Sequence, residues 1–295
     1  MMNKWTYTLL TTALVSTVII SGCGQQTGNA ANSNSGHTPP LPTEQVRDPI
    51  EQPAPEVDEH EEEEPVAENE PTVEDSSDEP IVIEKTYHMS KNFFIKPNDE
   101  NGNNKVVLLT FDDGPKEQEL LTSILDTLDK HNAKAIFFVN GFRVKQNPDL
   151  LKLIDERGQL VGNHSYDHIV LKKESNEKID QQVEDTQTIV QDTIGKAPQF
   201  FRPPNGAGND YLKDKVKALG MLYMTWSNGS LDWADNRNKP QGVIDSVMDQ
   251  LLPGSNILMH ELTWTAEALD ELLTRIAQEG YSFVDPRAIE LEARQ

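Results

Sequence analysis

The sequence predicts an α/β fold, namely a (β/α) barrel that is distorted or incomplete and has about seven strands. Between residues 105 and 285, short apolar runs typical of strands alternate with amphipathic helical stretches, which indicates parallel neighbouring strands. The number of these units suits a barrel better than an open sheet. Polar residues follow several of the predicted strands, where parallel barrels carry their chemistry.

The predicted strands share an apolar run bounded by polar or turn-forming residues. In chain order they are "VVLLTF" at 106–111, "AIFFV" at 135–139, "QLVGN" at 159–163, "QFFRP" at 199–203, "LYMTW" at 222–226, "NILMH" at 256–260 and "YSFVD" at 281–285.

The predicted helices between them share an apolar stripe at helical spacing. The last one ends at Gly280, as helices often do. They include "EQELLTSILDTLDKH" at 117–131, "DLLKLIDER" at 149–157, "KIDQQVEDTQTIVQDTI" at 178–194, "YLKDKVKALG" at 211–220 and "AEALDELLTRIAQEG" at 266–280.

The first 22 residues predict an export signal. Lys4 precedes the apolar stretch "YTLLTTALVSTVII", which is too short to span a membrane. The following Ile20-Ser21-Gly22-Cys23 resembles a bacterial lipobox, which implies that Cys23 receives a lipid and anchors the protein to the outer face of the membrane. The alternative is an ordinary signal peptide with a chance cysteine. Cys23 is the only cysteine, so no internal disulfide can form.

We predict that residues 23–80 form a disordered, acidic, proline-containing tether, because they lack apolar periodicity. Of the formal charge of −23, −15 lies in residues 44–80, where 16 acidic residues face only Arg47. The net negative charge argues against nucleic acid as a partner. Residues 81–104 form a lead-in segment that is predicted to add an edge strand before the barrel, and no function is predicted for it.

The carboxyl ends of the predicted strands carry candidate site residues, which would converge on one mouth. Asp112 and Asp113 end the first strand, and Gly114-Pro115 supplies a bend that lets both carboxylates face one environment. Further candidates follow the later strands, namely the "HSYDH" stretch at 164–168, Arg202, Asp232 with Trp233, and His260.

Two histidines of this set predict a metal site. A single helical turn would put His164 and His168 on one side, and Asp113 would complete a set of two imidazoles and one carboxylate. Such a set leaves coordination positions open for water and substrate, as in catalytic metal sites. Asp167 in the same turn is a lower-ranked candidate ligand.

Five motifs in order resemble the polysaccharide deacetylase family of carbohydrate esterases, whose shared domain is called the NodB homology domain. The resemblance covers residues 105–285 and implies a NodB-like domain at 105–295. The motifs are "TFDDGP" at 110–115, "HSYDH" at 164–168, "RPP" at 202–204, "DW" at 232–233 and "LMH" at 258–260.

This resemblance implies metal-dependent removal of acetyl groups, usually from N-acetylglucosamine units of peptidoglycan or chitin. The metal would be one divalent ion, with zinc placed first and cobalt, nickel and iron as alternatives. The resemblance further implies Asp112 as general base, Asp113 as metal ligand with His164 and His168, His260 as general acid, Arg202 orienting the base and Asp232 orienting the acid.

Four further residues are candidates for substrate binding. A backbone N–H near Pro204 and Asn205 would hold the oxyanion. Trp233 and Leu258 would line a pocket for the acetyl methyl group, with ordinary packing as the alternative. The chain departs from the family at Asn205, where an aromatic residue is frequent, and at Gly229, where an additional aspartate is frequent.

The sequence therefore predicts a membrane-anchored enzyme that deacetylates an acetylated wall glycan, and it predicts no protein partner. Two alternatives stay open. An O-acetyl esterase would use the same metal site, since nothing in the motifs separates an amide from an ester. A tethered glycan-binding lipoprotein that strengthens the wall without turnover would belong to another class.

Overall fold

The computed structural model describes residues 83–292. The predicted signal peptide at 1–22 and the predicted tether at 23–80 lie outside the described residues. Within the described range, no helix is long and apolar enough to cross a membrane. The strands are β1 (Tyr87–Met89), β2 (Ile95–Pro97), β3 (Val106–Gly114), β4 (Ala135–Val139), β5 (Leu160–Asn163), β6 (Phe200–Phe201), β7 (Leu222–Tyr223), β8 (Asn228–Gly229), β9 (Ser255–His260) and β10 (Ser282–Phe283).

The helices lie between successive strands of the main sheet, as expected for parallel neighbours. They are α1 (Gln118–Lys130), α2 (Gly141–Gln146), α3 (Pro148–Glu156), α4 (Asn176–Ile194), α5 (Asp210–Ala218), α6 (Pro240–Asp249) and α7 (Thr263–Gln278).

The main sheet is a curled parallel sheet that forms an incomplete barrel, as predicted. Seven of its strands follow the order β7-β6-β5-β4-β3-β9-β8. The strand β10 pairs in parallel only with Val106 and Val107 at the start of β3. The central strand β3 is the longest, with nine residues, and it pairs with β4 on one side and β9 on the other.

The prediction missed one strand of this sheet and two of the helices that connect its strands. The two-residue strand β8 is too short to show a period, and the six-residue helix α2 is too short to show an apolar stripe. Helix α6 begins at Pro240, which suits the first turn of a helix, but it carries Gly242 and β-branched residues that weaken the sequence signal. The strand β3 continues past the apolar run "VVLLTF" through Asp112 and Asp113, which were predicted to end it, and stops at Gly114.

Alternate side chains of β3 enter two separate cores. Val107, Leu109 and Phe111 lie in the larger core, between the sheet and its covering helices. Val106 and Leu108 point into the barrel interior. This alternation is the strand period of two, with both faces of the sheet buried.

The lead-in segment forms a hairpin of β1 and β2 (residues 87–97, the lead-in hairpin), and not an edge strand of the main sheet as predicted. The two strands pair antiparallel in a sheet of their own. Met89 and Ile95 are fully buried in the barrel-interior core. The Ile95 N–H donates to the carbonyl of Gly254, 2.8 Å away, just before β9 begins. The hairpin therefore fills the amino end of the incomplete barrel, where the sheet itself leaves apolar surface uncovered.

Truncating the hairpin's buried contact should destabilise the domain. We expect Ile95→Ala to lower the free energy of unfolding by about 2–4 kcal/mol, because it removes a fully buried side chain and leaves a cavity. The matched control is Lys96→Ala, at the exposed neighbouring position, which should change it by less than about 0.5 kcal/mol. Urea denaturation followed by circular dichroism measures both, and an Ile95→Ala midpoint equal to that of wild type would contradict the role of the hairpin.

Candidate active site

An extra residue in β3 brings the two adjacent carboxylates to one mouth. Asp112 pairs with Phe138 of β4, but the register shifts at the next position and Gly114 pairs with Val139. Asp113 is the extra residue, and its φ of 68° lies in the left-handed region. Such a bulge re-aims a side chain that would otherwise point to the opposite face. As a result, Asp112 Oδ2 and Asp113 Oδ1 lie 3.7 Å and 3.5 Å from the same atom, His164 Nε2.

The two histidines meet through a turn that is not helical. Their ring centroids lie 5.1 Å apart, but residues 164–168 form no helix. Ser165 and His168 instead have φ values of 65° and 55°. The sequence prediction of a single helical turn was wrong, although the pairing of the rings was right. Each left-handed non-glycine residue costs on the order of 1–3 kcal/mol, which the surrounding contacts must offset.

Asp113, His164 and His168 form a set of donors that fits a divalent metal ion. Their ligand atoms all lie within 4.8 Å of one another. His164 Nδ1 donates to the carbonyl of Arg202 at 2.7 Å, which leaves its Nε2 lone pair facing the other two donors. Burial alone raises the pKa of Asp113, but the two imidazoles lower it well below its usual range. The carboxylate is therefore ionised, as a ligand must be.

The lower-ranked candidate Asp167 does not join this set among the described residues. Its Oδ2 accepts a hydrogen bond from Gln182 Nε2 at 2.6 Å, and Lys178 Nζ lies 3.7 Å from the same oxygen. The Asp167 side chain is thus committed to α4 and not to the mouth.

Arg202 lies fully buried behind Asp112 and fixes it in place. Its Nη1 donates to Asp112 Oδ1 and to Thr110 Oγ1, both at 2.7 Å. Its guanidinium carbon lies 4.3 Å from the ring centroid of Phe138. Burial lowers the pKa of Arg202, and the adjacent Asp112 works against that effect. The pairing leaves Asp112 Oδ2 as the oxygen nearer the histidines.

Asp232 and His260 form a second hydrogen-bonded unit at the same mouth. Asp232 Oδ1 lies 2.7 Å from His260 Nδ1, and Oδ2 accepts from the His260 backbone N–H at 2.7 Å and from Thr265 Oγ1 at 2.8 Å. Burial alone lowers the pKa of His260, but the hydrogen bond and charge of Asp232, together with the charges of Asp112 and Asp113, give a net rise. The imidazole therefore keeps its proton to higher pH than a free histidine.

For the four predicted substrate-binding residues, contact with substrate stays a prediction. Pro204 is buried, and the exposed Asn205 follows it with a φ of 56°. Leu258 is 3% exposed on β9, opposite Thr110 of β3. Trp233 is 47% exposed and packs edge-on against His260, with ring centroids 5.3 Å apart.

The sequence reasoning missed a buried glutamate beside the site. Glu261, directly after the "LMH" motif, is 1% exposed, and its Oε2 accepts from the Lys116 N–H at 3.0 Å. Burial raises its pKa to about 7. A Cβ at Gly114 would collide with Glu261 Oε1, so the glycine of "TFDDGP" is needed for this contact. The position of Glu261 beside a motif histidine was the available signal.

Comparison with known proteins places these residues in a family. Residues 99–224 match the polysaccharide deacetylase family. The chain is 40% identical over 183 residues to the peptidoglycan-N-acetylglucosamine deacetylase PgdA of Listeria monocytogenes, covering 61% of this chain and 38% of that protein. It is 33% identical over 199 residues to the peptidoglycan-N-acetylmuramic acid deacetylase PdaA of Bacillus subtilis, covering 66% of this chain and 75% of that protein.

A solved structure shares the fold. A CE4 family pseudoenzyme from Bacillus anthracis superimposes with a TM-score of 0.59 at 31% identity, covering 64% of this chain and 67% of that chain. Three findings indicate the same family: the sequence matches, the incomplete parallel barrel, and the motif residues gathered at the mouth of that barrel. The chain belongs to the polysaccharide deacetylase family, the CE4 family of carbohydrate esterases.

Proposed function

We propose that the protein is a metal-dependent hydrolase that removes acetyl groups from N-acetylglucosamine units of cell-wall peptidoglycan at the outer face of the membrane. The observation that carries the proposal is the set of groups at one mouth: the three candidate ligands Asp113, His164 and His168, the Asp112 carboxylate beside them, and the His260 imidazole paired with Asp232. Two matched relatives, which are named as deacetylases of N-acetylglucosamine and of N-acetylmuramic acid in peptidoglycan, support this substrate class.

The ligand triad suits zinc, with cobalt, nickel and iron as alternatives. Two imidazole nitrogens and one carboxylate oxygen are ligands that these ions accept, and three protein ligands leave room for water and substrate. When bound there, a divalent cation polarises the acetyl carbonyl and lowers the pKa of water. Asp113, His164 and His168 are the residues that would hold it.

Asp112 and His260 would carry out the two proton transfers of the reaction. Asp112, held at Oδ1 by Arg202, takes a proton from the attacking water as its oxygen adds to the acetyl carbon. A backbone N–H near Asn205 stabilises the charge that develops on the carbonyl oxygen. His260, kept protonated by Asp232, donates its proton to the sugar nitrogen as the carbon–nitrogen bond breaks. Acetate and a free amine on the sugar result.

Two alternatives share the same site. The carboxylate and imidazole would serve an O-acetyl ester equally well, since the leaving oxygen also needs a proton. The similarity to a CE4 family pseudoenzyme favours a second alternative, glycan binding without turnover. The presence of base, acid and ligands in this chain supports the catalytic reading over that one.

Acetate release separates these functions. The purified protein with zinc should release acetate from peptidoglycan, while chitooligosaccharides test other N-acetyl substrates and an acetylated xylan tests O-acetyl esters. Release from the xylan alone would favour the esterase. Binding to peptidoglycan with no acetate from any substrate, at any of the four metals, would favour the non-catalytic protein.

The two adjacent aspartates should fail in different ways. We expect Asp113→Asn to weaken zinc binding and to lose activity that excess zinc partly restores, because it removes the charged ligand. We expect Asp112→Asn to keep zinc but lower kcat by roughly 10²–10⁴-fold, the usual size of a general-base contribution. Elemental analysis beside acetate release measures both. Equal loss of zinc in the two variants would contradict the separate roles.

The pH profile should report the pair of His260 and Asp232. Activity should fall on the alkaline side as the His260 imidazolium loses its proton, and its raised pKa places that fall above the value of a free histidine. Asp232→Asn removes the negative charge, so the alkaline limb should move to lower pH. The matched control is Asp235→Asn at an exposed position, which should leave the limb in place. An unmoved limb in folded, zinc-loaded Asp232→Asn would exclude Asp232 from the proton transfer.

We further propose that Cys23 carries the membrane anchor, which the lipobox-like sequence before it supports. Cys23→Ala should shift the full-length protein from the membrane fraction to the medium and abolish labelling by a radioactive fatty acid. Fractionation followed by immunoblotting measures the shift. A variant that stays with the membrane without the label would show that another segment holds it there.

A further inference from the structure

The turn that carries the two histidines is fastened to its neighbours at each successive residue. Asn140 Nδ2 donates to the His164 carbonyl at 2.8 Å. The backbone N–H groups of Gly141 and Phe142 donate to the carbonyls of Ser165 and Tyr166, both at 3.1 Å. Up to Tyr166, therefore, the start of α2 holds the turn.

Asp167, the next residue, is held from a different helix. Gln182 of α4 is 1% exposed and uses both ends of its amide on this one residue. Its Oε1 accepts from the Asp167 N–H at 2.7 Å, and its Nε2 donates to Asp167 Oδ2 at 2.6 Å. This two-point contact fixes both the backbone and the side chain of Asp167.

The ring of His168, which follows directly, contacts His164 and Asp113 at the site, but no hydrogen bond to its Nδ1 is present among the described residues. The His164 ring is set by the bond from its Nδ1 to the Arg202 carbonyl. His168 Nδ1 has no such partner among residues 83–292, and its side chain is 34% exposed. Its backbone also has a φ of 55°, in the left-handed region. The direction of the His168 ring therefore depends on where the chain before it is held.

We propose that Gln182 is a positioning residue for the metal site. By clamping Asp167, it holds His168 Nε2 at its place 3.1 Å from Asp113 Oδ1. Asp167 acts as the point of attachment for Gln182 and not as a ligand. This inference rests on the proposed metal-dependent function, because it concerns the affinity of the same three ligands.

Zinc affinity tests the proposal directly. Gln182→Leu keeps the approximate size of the side chain but removes both hydrogen bonds, and it should weaken zinc binding by roughly 10–100-fold, the usual effect of losing an outer-shell contact. Asp167→Asn keeps an oxygen that can accept from Gln182 and should bind zinc within about threefold of wild type. The matched control is Gln181→Leu, the same substitution at the exposed neighbouring position of α4, which should bind like wild type.

Competition with a chromophoric chelator gives the zinc Kd of the full chain, and circular dichroism with thermal unfolding checks the fold of each variant. If Gln182→Leu does not fold, Gln182→Met replaces it: that variant keeps the length of the side chain, loses both the N–H donor and the oxygen acceptor, and should also weaken binding at least tenfold.

Three results would separate the possibilities. Wild-type affinity in a folded Gln182 variant would overturn the positioning role. Equal weakening by Gln182→Leu and Asp167→Asn would also overturn it, and would assign the effect to the charge of Asp167. A wild-type protein that binds none of zinc, cobalt, nickel or iron would instead refute the metal dependence in the proposed function, before any variant is compared.

Discussion

The site depends on one extra residue in the central strand. Neighbouring side chains on a regular strand point to opposite faces, so Asp112 and Asp113 could not share a mouth without the bulge. Because Asp112 stays in register with His260 of β9, the bulge moves only Asp113 toward the histidine turn. Glu261 occupies the space that Gly114 leaves and binds the Lys116 N–H, so the end of β3 is held from β9 as well.

Two carboxylates that lie this close need separate partners, because a buried charge without a partner is costly. Arg202 forms an ion pair with Asp112 from the barrel interior, and the imidazoles of His164 and His168 lie against Asp113 at the mouth. The same division gives the residues different chemistry. Asp113 faces the two imidazoles at the proposed metal position, while Asp112 has Oδ1 fixed by Arg202 and Oδ2 turned toward His164.

Sequence patterns predicted the features that depend on residues close to one another in the chain. The periods of β3, β4, α1, α4 and α7 indicated the parallel barrel, and the motif residues at strand ends indicated a common mouth. The missed features depend on contacts between segments far apart in the chain. The lead-in hairpin buries Ile95 against strands that follow it, Gln182 binds Asp167 from 15 residues further along the chain, and Glu261 binds the Lys116 N–H from 145 residues further along. The left-handed turn at Ser165 and His168 also lacks a glycine that would have signalled it.

The amino end of the barrel contributes to stability, and the carboxyl end carries the candidate active site. At the amino end, the lead-in hairpin completes an apolar interior that the open sheet cannot close alone. At the carboxyl end, Asp113, Ser165 and His168 all adopt left-handed backbone conformations that non-glycine residues rarely hold. Such conformations persist only where rigid neighbours over-determine them. The rigid parts here are β3, the start of α2 and Gln182 of α4. The packed sheet and helices therefore hold Asp113, Ser165 and His168 in their left-handed conformations.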